Sequence, residues 1–191
     1  MKKTLLLAIT VILVLFAGCT TAPSGTAAPG AGLSATPSPS YTVPPNALPM
    51  NGSVRLGNDT HAITVSVDAT SFEISPETPG VYAVTIYVAA KNTGKDPIKY
   101  TWFSTLTDLN GNKYGGIGIS HGGNGARTEW ILPNFTEEAR DYVEVPSNQS
   151  LSALAGGAVL DVDFMEQKVN VTPSLIPDYH VTWVIDPDTI R

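Results

Sequence analysis

Hydrophobic and polar positions alternate most clearly over residues 81–114, VYAVTIYVAAKNTGKDPIKYTWFSTLTDLNGNKY. Tyr82, Val84, Ile86, Val88 and Ala90 fall on one face, with Thr85, Tyr87 and Lys91 on the other. A period of two carried by β-branched and aromatic residues predicts a strand with one face in a core. Residues 92–97, Asn-Thr-Gly-Lys-Asp-Pro, then supply a turn. Gly94 allows positive φ there, and Pro97 moves Asp96 out of the helical region. Alternation resumes with Ile98, Tyr100 and Trp102 against Lys99, Thr101 and Phe103. Asn110-Gly111 inside Asp-Leu-Asn-Gly-Asn predicts a hairpin.

Other segments repeat the pattern. Residues 54–56 read as a short strand and 63–69 as a longer one, which Phe72 and Ile74 extend beyond a bulge. Residues 76–80 form a turn into the central strand. Residues 114–119 and 127–132 read as strands flanking a glycine-rich loop, and 142–145 as a short strand. Residues 151–155 form the one helical turn, followed by strands over 160–164 and 180–185. Eight or nine short antiparallel strands separated by turns predict an all-β sandwich. Trp102, Trp130 and Trp183 fall in strand patterns and read as core.

The run Lys-Asn-Thr-Gly-Lys-Asp-Pro-Ile, an aromatic strand, and Asp-Leu-Asn-Gly-Asn-Lys-Tyr resembles the DUF4352 (telokin-like, immunoglobulin-like) domains of prokaryotic surface lipoproteins. The resemblance spans residues 52–164 and rests on structural turns. It implies an immunoglobulin-like sandwich in the cell envelope. Where the family carries a Pro-Gly-Glu-like turn, this chain has Leu132-Pro-Asn-Phe-Thr-Glu-Glu138.

The first eighteen residues have the layout of a secretory signal: Lys2 and Lys3, an apolar run over 5–16, then Ala17-Gly18 before Cys19. Phe16-Ala-Gly-Cys19 is similar to a lipobox, with Phe16 where Leu is usual. That similarity makes Cys19 the lipid-modified first residue of the mature chain. Two acyl chains on one residue anchor stably, at about 0.8 kcal/mol per buried methylene. Cys19 is the only cysteine in the 191 residues, so no intramolecular disulfide forms and an exported domain must rely on its core. Residues 19–50 are rich in Ala, Pro, Ser and Thr, and are expected to be a disordered tether. Thirty such residues reach roughly 90 Å as polyproline or about 30 Å as flexible coil. Residues 51–191 form the folded domain.

Removal of Lys2 and Lys3 leaves nine basic residues against seventeen acidic ones, a net charge of −8. With no basic patch, nucleic acid is excluded as a partner. The expected partners are the membrane, through the lipid, and a protein or small molecule of the envelope. The glycine-rich loop 115–125 is the candidate ligand loop, with Ser120, His121 and Asn124. Adjacent residues of a strand point opposite ways, so Ser120 and His121 do not make a nucleophile–base pair by themselves. An envelope hydrolase through Ser120, His121 and a distant acid is the rival reading; a solute- or metal-binding transporter accessory is a third.

No metal or other cofactor is expected. Asp108 to Asn112 opens like a calcium loop, but Ile119 stands where the closing glutamate belongs. His61, His121 and His180 lack partners at helical spacing. Asp186-Pro187-Asp188 reads as a solvated tail. Five Asn-x-Ser/Thr sequons, at Asn51, Asn58, Asn134, Asn148 and Asn170, mark candidate glycosylation sites on surface loops.

Overall fold

The computed structural model describes residues 41–116, 125–168 and 176–190. Among them, two five-stranded antiparallel sheets share one hydrophobic core: the all-β sandwich that the alternation predicts, of the immunoglobulin-like kind that the resemblance implies.

The first sheet is built on β4 (Val81–Asn92), whose Val84, Ile86, Val88 and Ala90 are fully buried as expected. Strand β8 (Thr136–Val145) pairs along one edge of β4, from Tyr82↔Val145 to Lys91↔Thr136. Two strands share the other edge. β2 (Ala62–Ser66) lies opposite residues 89–92, and β3 (Phe72–Thr78) lies opposite 81–86. β1 (Ser53–Gly57) flanks β2. A single 3-10 turn (Ala69–Ser71) breaks this edge because the Asp68 carboxylate accepts both the N–H and the hydroxyl of Thr70, at 2.7 and 2.6 Å. Phe72 and Ile74 resume the pairing beyond it, as the sequence pattern predicts.

The second sheet repeats this plan around β5 (Tyr100–Asp108). β9 (Ala158–Glu166) covers one edge over its full length. β6 (Lys113–Gly115) and β7 (Ala126–Arg127) occupy the two ends of the other. β10 (Tyr179–Ile185) pairs outside β9. The helix α1 (Asn148–Ala155) joins β8 to β9 and is N-capped by Ser147, whose hydroxyl accepts the Ser150 N–H. Tyr100, Trp102 and Leu106 of β5 meet Leu160, Val162 and Phe164 of β9 in the core, and the Trp102 and Phe164 rings are 5.6 Å apart. Full burial of such a side chain contributes about 1.5–3 kcal/mol.

The β5–β6 hairpin forms on Asp108 to Asn112, as predicted. Gly111 takes φ +87° and donates to Asp108 O, while Asp108 N–H donates to Asn112 O. This is a type I turn with a glycine bulge. The Asp108 side chain completes it by accepting from the N–H groups of Asn110 and Asn112, the Asn112 amide and the Tyr114 hydroxyl. The carboxylate is thus consumed by the turn.

Several elements differ from the sequence pattern. β6 ends at Gly115 and β7 at Arg127, where strands to 119 and 132 were expected. Gly115 takes φ +80°, and a Cβ there would lie 2.7 Å from Ser104 O. Only glycine fits that approach. β8 begins six residues before the predicted 142, because Asp141 occupies a buried position between Ala139 and Val143 and masks the alternation. Gly94 does not use positive φ. It is needed because a Cβ would sit 2.4 Å from Thr60 O.

At its N-terminal side the domain extends further than expected. Residues 1–40, which hold the expected leader, Cys19 and most of the expected tether, lie outside the described residues. The last ten tether residues, however, belong to the domain. Tyr41 N–H donates to Leu109 O, and Leu48 bridges β10 by exchanging hydrogen bonds with Thr182 and Val184 at 2.8 Å. Met50 is buried, and the Trp183 indole donates to Gly52 O at 3.0 Å. The C-terminal residues are likewise not a free tail: Asp188 N–H donates to Ala155 O, and Ile190 is fully buried.

Candidate binding cleft

At one end of the sandwich, the β1–β2 turn, the β4–β5 turn, the segment between β7 and β8 and the end of β9 converge. The first two are clamped together. Thr93 and Gly94 N–H donate to Ala62 O, and Lys95 and Asp96 N–H donate to Thr60 O, over 2.9–3.2 Å. The third joins through Ile131, which exchanges backbone hydrogen bonds with Ile98 at 2.8 and 3.1 Å. Asn92 ties all of this from inside. It continues the core-facing alternation of β4, is fully buried, and donates its amide to Asp96 O and Ile131 O at 2.8 and 2.7 Å. Its Oδ1 accepts the Gly94 N–H. A buried polar side chain with its groups satisfied fixes backbone geometry.

This framework carries a cleft of about 410 Å³ lined by His61, Asp96, Pro97, Trp130, Glu166, Gln167 and Lys168. His61 Nδ1 lies 2.8 Å from Glu166 Oε1, and Nε2 lies 3.6 Å from Asp96 Oδ2. Gln167 N–H donates to Lys99 O, fixing the strand end beside the cleft. Trp130 is 47 % exposed, against 0 % for Trp102 and Trp183, so the expectation of three core tryptophans holds for two. Trp130 lies outside any strand because only Ile131 bridges to Ile98, which turns Trp130 and Leu132 outward while Ile131 is buried. Phe135, further along the same segment, is also exposed.

A second cleft of about 470 Å³ is lined by Ser75, Thr85, Gly125, Arg140, Asp141 and Tyr142, among others. Gly125, the last residue of the predicted ligand loop, takes φ +70°, and a Cβ there would lie 2.8 Å from the Phe103 ring. Ser120, His121 and Asn124 lie outside the described residues.

On β10, His180 Nδ1 sits 2.8 Å from Asp163 Oδ1 and Nε2 sits 3.2 Å from Asp161 Oδ1, while Thr182 donates its hydroxyl to Asp161 at 2.7 Å. Strand pairing sets His180 opposite Asp163, whereas His61, in the β1–β2 turn, meets Glu166 and Asp96 where the two sheets end together. Among the described residues, no three of His, Cys, Asp and Glu converge as metal ligands.

Four sequon asparagines, Asn51, Asn58, Asn134 and Asn148, are exposed at turns or the α1 start. Asn51 and Asn134 adopt φ +65° and +68°; Asn58 Oδ1 accepts from the Thr60 and His61 N–H groups; and Asn148 accepts from the Tyr82 hydroxyl. Asn170 lies outside the described residues.

No family profile matches the sequence, and no curated protein does. Among solved structures, a candidate ApaA protein from Bordetella pertussis matches at 18 % identity and a TM-score of 0.38, over 66 % of this chain and 96 % of that one. A candidate lipoprotein from Bacillus subtilis matches at 18 % identity and a TM-score of 0.37, over 71 % of this chain and 39 % of that one. An uncharacterised β-sandwich protein from Clostridium difficile matches at 12 % identity and a TM-score of 0.39, over 75 % and 97 %.

Proposed function

We propose that this chain is a lipid-anchored, non-catalytic binding module of the DUF4352 kind. In this reading Cys19 holds it on the outer side of the cytoplasmic membrane, or in the outer membrane of a host that has one. The proline-rich tether carries the sandwich away from the lipid, and the His61–Trp130 cleft takes a protein or small-molecule ligand of the envelope. The observation that carries the binding role is Trp130: a large apolar side chain left exposed on a segment that Ile131 and Asn92 hold in place. An aromatic group presented on a pre-organised framework binds without an ordering cost.

Two measurements test this. Cys19→Ser should move the protein from the membrane to the soluble fraction; retention in membranes would place the anchor elsewhere. Full-length protein in mild detergent should capture envelope material that the Trp130→Ala variant does not, and equal capture would move binding to another face.

A further inference from the structure

Resting on the binding role of this cleft, the geometry points to a saccharide as its ligand: we infer that the cleft of His61, Asp96, Trp130, Glu166, Gln167 and Lys168 binds a neutral mono- or oligosaccharide. A sugar ring has an apolar face of C–H groups and an equatorial rim of hydroxyls that both donate and accept. The cleft offers the complement of each. The half-exposed Trp130 indole gives one planar apolar platform. Around it, the Asp96 and Glu166 carboxylates accept, the Lys168 ammonium donates, and the Gln167 amide does both.

The charge pattern separates this ligand from its competitors. Two carboxylates, one ammonium and an imidazole already held 2.8 Å from Glu166 leave no field of a single sign to select a cation or an anion. A quaternary or primary ammonium is also held best by several aromatic faces, and here only one lines the cleft among the described residues. The volume of about 410 Å³ lies within the range of small-ligand sites.

Tryptophan fluorescence of the full chain reads the site directly. Trp102 and Trp183 are fully buried, so acrylamide quenching reports Trp130. Chitotriose, cellotriose and maltotriose serve as neutral probes, spermidine as the cationic one, and tri-glutamate as the anionic one. At least one trisaccharide should shift the emission and protect it from acrylamide. Trp130→Ala should abolish that signal, and Trp130→Phe, followed by calorimetry, should retain weakened binding. Asp96→Asn and Glu166→Gln should each weaken binding roughly ten-fold, as loss of a well-placed polar contact does. Trp130 and Asp96 are exposed and Glu166 is partly buried, and unchanged thermal unfolding separates lost binding from lost fold.

If spermidine or tri-glutamate protects Trp130 and no trisaccharide does, the saccharide assignment is overturned while the cleft remains a binding site. Protection of Trp130 by solubilised envelope fragments alone, after glycosidase digestion of those fragments, overturns it in the same way. If neither the probes nor undigested fragments protect Trp130, both the assignment and the binding role of the cleft fall.

Discussion

Asp141 on β8 accepts the backbone N–H of Ser104 on β5 at 2.8 Å, so a side chain of one sheet completes the hydrogen bonding of the other. The position of Ser104 explains why. Tyr100 and Asp108 direct their backbone groups toward the β6/β7 edge, and alternation directs those of Ser104 the same way. On that edge, Trp102 pairs with Ala126 and Thr105 with Gly115, leaving Ser104 at the break in the ladder. Removing the acceptor with Asp141→Leu leaves a buried N–H unpaired and should cost about 1–3 kcal/mol.

Asp141 also has a distinctive pH signature. Burial raises its pKa, against the opposing hydrogen bonds from Ser104 and Tyr142. The native state therefore holds this proton more readily than the unfolded chain, and its contribution to stability rises as pH falls through the folded pKa toward the ordinary value of 3.8. The stability of the native protein minus that of Asp141→Asn should grow on acidification from neutral pH. Urea unfolding across a pH series measures it; a flat or shrinking difference would show that the fold does not disfavour the ionised form.

Asp108 should behave in the opposite sense. Burial alone would raise its pKa, but the hydrogen bonds from Asn112, Asn110 and Tyr114 outweigh it and hold the carboxyl low. Its contribution is fully present above the ordinary 3.8 and is lost as pH falls through the folded value. Asp108→Asn should cost about 1.5–3 kcal/mol at neutral pH, the range for hydrogen bonds to a charged group. The same urea series should show that cost shrinking with acid.

Asn92 links stability to the cleft. Asn92→Ala removes its donors to Asp96 O and Ile131 O and leaves a small void, and should destabilise by about 2–4 kcal/mol. It should also free the segment carrying Trp130. Greater acrylamide access to Trp130 at a temperature where the variant is still folded would confirm the link; unchanged access would show that the Ile98–Ile131 bridge suffices.

Val84 is fully buried on the core face of β4, so Val84→Asp places an unpaired charge in the core. The loss should exceed about 4 kcal/mol and abolish a cooperative thermal transition. A retained transition would mean the inter-sheet face admits water.

The domain boundary is testable by truncation. A chain starting at Gly52 lacks the Leu48 bridge to β10 and the buried Met50, so it should be less stable than one starting at Tyr41, by about 2–5 kcal/mol for the lost core packing alone. Equal denaturation midpoints would return residues 41–50 to the tether.

Local periodicity was enough for the sandwich, because a strand with one buried face must alternate: Val84, Ile86, Val88 and Ala90 declare β4 within seven residues, and Asn110-Gly111 declares the hairpin after β5. The same logic misread positions where a contact distant in sequence decides the outcome. The strand at 142–145 reads too short because Asp141 is polar, yet Asp141 is buried with a partner 37 positions away, Ser104. Trp130 looks like core until the Ile98–Ile131 bridge turns it outward. His61 and Glu166 are 105 residues apart and meet only because two sheets end at the same place. A periodic pattern records which face a residue prefers; what stands opposite that face is set by the packing of one sheet on the other, and this chain's candidate site is made there.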